Sequence, residues 1–170
     1  MEKTIDALNK QLANWSVLFI KLHHLHWYVT GRQFFTLHEK FEELYNKSAG
    51  YMDDLAERVL TLKGKPLSTM KEYLEMASIE EASGEETSDQ MVQTLLQDLE
   101  IVIRETKEGM KQAEQEGDES TADMFLGIIS EMEKQTWLFQ AFIEGETTQS
   151  STSPRHVYYT GKGSNAEAGK

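Results

Sequence analysis

The sequence predicts an all-α fold, a bundle of four long helices with a short helix in the connection between the second and third. Three observations carry that prediction. The two prolines, Pro66 and Pro154, leave long stretches free of the strongest helix breaker. Apolar residues recur at alternating three- and four-residue intervals, the period of one helix face. Breaks containing Gly31, Gly64 and Gly117 separate the periodic segments.

The first helix is expected over about 4–29, where Ile5, Leu8, Leu12, Trp15, Phe19 and Leu22 lead into His26 and Val29. Thr30-Gly31-Arg32-Gln33 interrupts it, and a second periodic run over about 34–63 ends at Gly64-Lys65-Pro66. Met70 to Glu75 is a short helical candidate, and the segment Ser78 to Ser88 is acidic and poor in apolar residues, so a crossover rather than a tight turn joins the halves. Met91, Leu95, Leu99, Val102, Thr106 and Met110 mark a third helix over about 88–115. Gly117-Asp118 breaks it before Phe125, Ile129, Met132, Phe139 and Phe142 mark the fourth. Two short turns and one long crossover give a ferritin-like four-helix bundle with a short helix in the crossover. Trp15 and Trp137 fall in apolar stripes and are expected in the core. Residues 1–145 are read as one domain. After Gly145 the composition turns to Thr, Ser and Gly, so 146–170 is expected to be a flexible C-terminal tail.

The net charge of −12 repels phosphate backbones and attracts cations. The absence of cysteine excludes disulfides, thiolate catalysis and Zn–Cys sites. MEKTIDALNK does not read as a signal peptide and no apolar run reaches a membrane span, so a soluble cytoplasmic protein is expected.

His26 interrupts the apolar seam of the first helix, and a buried imidazole needs a partner. A core histidine satisfied by a carbonyl or carboxylate explains it alone. However, His26 lies six residues before Arg32 and His38 six after it, so an antiparallel hairpin brings the two level. On the second helix His38 with Glu42, and Asp53 with Glu57, are spaced i,i+4 on one face. The step from Glu42 to Asp53 spans roughly 16 Å along the axis, whereas ligands converge to about 2 Å from a metal, so one chain cannot unite both pairs. A two-fold related copy can, by setting one chain's Asp53 and Glu57 opposite the other's His26, His38 and Glu42. Such imidazole and carboxylate donors suit Fe(II) or Mn(II) and accommodate Zn(II). The competing reading of the acids is a solvated face salted by Lys47 and Arg58, and spacing alone does not choose between them.

His24-Leu25-His26-Trp27-Tyr28, Phe34-Phe35-Thr36-Leu37-His38-Glu39-Lys40 and Met52-Asp53-Asp54-Leu55-Ala56-Glu57-Arg58 resemble the signature stretches of Dps mini-ferritins, with similarity over about 4–144. The Glu-x-x-His pattern of ordinary di-iron bundles is absent. The resemblance implies a ferroxidase centre at a dimer two-fold with His26, His38, Glu42, Asp53 and Glu57 as metal ligands; at Glu42 many relatives have Asp. It also implies Fe(II) oxidation, by hydrogen peroxide in preference to dioxygen, two irons per site, and ferric mineral stored in a homo-dodecamer as protection against oxidative stress. Trp27, next to His26, is either an interceptor of stray oxidising equivalents or an aromatic that packs an interface. Asp118 and Asp123 flank the start of the fourth helix, where such shells have three-fold pores; capping explains each equally well. His23 and His24 lack accompanying acids and are read as secondary.

Two other functions compete. A DNA-binding nucleoid protein would need a basic arm, but the tail offers Arg155, Lys162 and Lys170 against Glu146 and Glu167, so little duplex affinity is expected. A non-redox helical structural protein leaves His26 in the seam unexplained.

Overall fold

The computed structural model describes residues 1–150 and contains five helices in this part of the chain: α1 (Glu2–Tyr28), α2 (Phe34–Thr61), α3 (Met70–Met76), α4 (Ser88–Gln115) and α5 (Glu119–Ser150). The predicted all-α bundle is formed, with α3 as the short helix of the crossover. The last helix runs past Gly145 to Ser150 and so takes in the first five residues of the predicted tail 146–170; the rest, 151–170, lies outside the described residues.

α1 packs along α2 and α4 along α5, and α1 joins the two hairpins by also packing on α4. Leu8, Leu12, Trp15, Leu18, Leu22 and Leu25 of α1 are buried against Phe41, Leu44, Leu55 and Val59 of α2, Leu95, Leu99 and Val102 of α4, and Phe125, Met132 and Phe139 of α5. Burial of each such side chain stabilises by roughly 1.5–3 kcal/mol, which is what draws the four apolar stripes together. Trp15 is in this core as predicted, but Trp137 is 62% exposed. Met132, Gln135 and Phe139 set the inward face of α5, and a residue two places from Gln135 is turned by about 200° to the outside.

Sequence chemistry fixes the helix ends. α1 stops where Val29 turns extended, and Gly31, at φ +94°, takes a left-handed conformation that reverses the chain. α3 and α4 each begin with a capping box, Thr69 with Glu72 and Thr87 with Gln90. The crossover is tied to α1 by two buried asparagines. Asn9 donates to the Lys65 carbonyl (3.1 Å) and accepts from the Leu67 N–H (3.0 Å); Asn14 accepts from the Ser78 N–H (2.8 Å) and donates to Glu105 (2.8 Å). Inside the bundle Lys21 of α1 and Asp98 of α4 form an ion pair at 2.6 Å with both side chains buried.

Candidate metal centre

The tight turn after α1 brings His26 and His38 level, as the hairpin argument requires. Nδ1 of His26 lies 2.7 Å from the carbonyl oxygen of His38, and Nδ1 of His38 lies 2.8 Å from that of His26. A carbonyl can only accept, so each Nδ1 carries a proton, and in the neutral ring the free lone pair is then on Nε2. The rings stack with centroids 3.7 Å apart and 20° between planes, and Phe34 stacks on His38 at 4.9 Å. His26 is buried and His38 half-buried. Two imidazoles are therefore held side by side in the tautomer that binds a metal through Nε2.

Glu42 stands one turn beyond His38, exposed, with Tyr45 three residues further along the same helix. Burial, then the negative charge of Glu42, push the Tyr45 phenol above its ordinary value. The Tyr45 ring stacks on His23 at 3.9 Å and meets the edge of His26 at 5.4 Å. His23 is itself oriented, since its Nδ1 donates to the Phe19 carbonyl at 2.8 Å. Sequence reasoning missed Tyr45, although it lies seven residues after His38 and three after Glu42, the spacing of one helix face.

Asp53 and Glu57 lie farther along α2, both exposed. Among the described residues no three His, Asp or Glu side chains converge on one point. The structure thus brings His26 and His38 together, sets Glu42 beside them, and leaves Asp53 and Glu57 apart. The two cations of the competing reading are engaged elsewhere: Lys47 pairs with Glu131 at 3.0 Å, and Arg58 reaches across to Asp118 and Thr121. Among the described residues Glu42, Asp53 and Glu57 make no ion pair. An exposed row of unneutralised carboxylates attracts a cation.

Trp27 is 67% exposed and its ring contact is with His23, at 5.3 Å. Beside it at the turn stand exposed Tyr28 and Phe35, the latter at 83%. Asp118 is buried, accepts from the backbone N–H and hydroxyl of Thr121, and pairs with Arg58, so it caps α5. Asp123 lies exposed in the first turns of α5.

Comparison with known proteins agrees with the fold along nearly all of the described chain. A family profile described as Ferritin-like domain matches residues 5–147. The chain is 56% identical over 142 residues to General stress protein 20U of Bacillus subtilis, covering 84% of this chain and 98% of that one. It is 54% identical over 142 residues to DNA protection during starvation protein 2 of Bacillus anthracis, covering 84% and 97%. Among solved structures, a Dps protein from Bacillus brevis superposes with a TM-score of 0.82 at 46% identity, covering 82% of this chain and 94% of that one.

Proposed function

The chain belongs to the Dps family of ferritin-like proteins, and from that premise we propose that it is a cytoplasmic ferroxidase. It oxidises Fe(II) to Fe(III) and stores the ferric product as mineral within a shell of twelve copies. The observation that carries this reading is the His26–His38 pair, whose Nδ1 protons are committed to backbone carbonyls. In the neutral rings this sets the Nδ1–H tautomer and the ring orientation before a metal arrives, and offers both Nε2 lone pairs to Fe(II).

In this reading His26, His38 and Glu42 of one copy take the iron substrate together with Asp53 and Glu57 of a two-fold related copy. The carboxylates favour Fe(III) over Fe(II), so an acid-rich site promotes loss of an electron. Hydrogen peroxide is the preferred oxidant, because two irons held together supply both electrons that it accepts. The exposed Trp27 and Phe35 at the same turn are apolar surface for the two-fold contact. Asp123, exposed near the start of α5, guides Fe(II) inward, with Asp118 fixing the end of the helix that carries it.

The test is anaerobic oxidation of Fe(II) by stoichiometric peroxide, followed by ferric absorbance, in the wild type and Asp53→Ala at equal oligomeric mass. Rapid ferric formation that falls by about 10–100-fold in the variant supports the interfacial centre. Equal, slow oxidation in both overturns it.

A further inference from the structure

An apolar groove runs between the first half of α2 and the second half of α5. Leu37 and Phe139 are buried at its floor, Phe142 is half-buried, and Leu138 is 37% exposed along it. Phe41 backs the floor, its ring stacked on that of Phe139 with centroids 6.2 Å apart and 14° between planes. Thr36, Lys40 and Gln135 add polar groups to the lining. Lys40 is already paired with Glu43 at 2.7 Å, so the groove offers an aromatic surface with hydrogen-bonding groups and no unneutralised charge.

We propose that this groove is the seat of the chain's own C-terminal segment, through Val157-Tyr158-Tyr159. That triplet is the one run of bulky apolar residues after Ser150, and Arg155 and Lys162 bracket it. The rest of the chain is strongly acidic, so the bracket draws the triplet back to the bundle. Length permits it. Phe139 lies about 16 Å before Ser150 along the axis of α5, whereas the chain from Ser150 to Tyr158 reaches up to about 28 Å when extended. The surplus accommodates a reversal, and Pro154 falls within it. A tyrosine suits such a groove because its ring takes the apolar floor while its hydroxyl meets a polar margin. Seated in this way, Arg155 and Lys162 lie against an acidic body and are not presented to duplex nucleic acid as a basic arm. The assignment is independent of the ferroxidase reading.

The experiment places the photo-crosslinking residue p-benzoylphenylalanine at Thr36, exposed on the margin of the groove, in the full-length assembled protein. After irradiation and tryptic digestion, mass spectrometry is expected to find the crosslink on peptide 156–162. Its yield falls about tenfold in Tyr158→Ser/Tyr159→Ser, with oligomeric mass unchanged because both substitutions lie outside the bundle. In the protein without the crosslinker, trypsin is expected to cut after Arg155 and Lys162 about tenfold faster in that double variant than in the wild type. Crosslinks to a bundle helix of a neighbouring copy would mean that a second copy covers the groove, and overturn the assignment. Absence of a crosslink to 156–162, a yield that the double variant leaves unchanged, or equal rates of cleavage also overturns it.

Discussion

His26 and His38 fix each other, because the Nδ1–H of each donates to the backbone carbonyl of the other across the turn between α1 and α2. The arrangement makes each imidazole both a proposed ligand and part of its neighbour's support. His26→Gln or His38→Gln therefore removes one ligand and loosens the other. Either is expected to weaken Co(II) binding, followed by its visible absorbance, by about 10–100-fold; a single substitution that leaves the affinity unchanged sinks the pairing argument.

The proposed division of the ligand set between copies gives a complementation test. Assembled alone, Asp53→Ala and His26→Gln chains each lose the rapid oxidation. Refolded together in equal amounts, half the dimers are mixed, and one of the two sites in each mixed dimer has all its ligands. About one quarter of the wild-type rate is expected to return under two-fold symmetry. No recovery in the mixed assembly would place the site within one chain.

Asp123→Asn tests the entry route without touching a cap. Iron uptake at low Fe(II) is expected to slow, more so at low ionic strength, with oligomeric mass unchanged. Unchanged uptake excludes Asp123 as a guide.

Asp118 predicts the acid limb of the stability curve. Burial alone raises its carboxyl, but the hydrogen bonds from Thr121 and the Arg58 guanidinium outweigh that and hold it below its ordinary value of 3.8. A group whose folded pKa is depressed contributes stability above its unfolded pKa and loses it as pH falls through the folded value. Asp118→Asn is expected to cost about 1–2 kcal/mol in denaturant unfolding at neutral pH, and to flatten the decline below pH 3.8. A parallel decline in both proteins would show that the cap carries no such linkage.

The buried Lys21–Asp98 pair predicts strong non-additivity. Lys21→Met or Asp98→Leu alone strands a charge in the bundle and is expected to cost about 3–5 kcal/mol; the double variant recovers most of it. Additive losses by chemical denaturation would exclude the coupling.

Much of this architecture was legible because it depends on period and punctuation. The apolar stripe from Leu8 to Leu25 and the breaks at Gly31, Gly64 and Gly117 carry the helices, and the symmetric placing of His26 and His38 about the turn carries the pair. Rotational phase was harder. Trp137 lies among apolar residues, yet a shift of two places from Gln135 turns it outward. Tyr45 escaped notice because its significance lies in a stack with His23, and a contact between rings on different helices leaves no periodic trace. The engagement of Lys47 and Arg58 by α5 was likewise invisible, since a cation's partner depends on which helix packs beside it.

The asparagine ties along α1 bear on the course of the long crossover. Asn9 and Asn14 accept N–H groups of the crossover at Leu67 and Ser78, and on α1 they lie five residues and about 140° of rotation apart. A four-helix bundle can be closed with either handedness, and the long link decides which. By seating the link at two stations on α1, the asparagines fix the path it takes across the bundle.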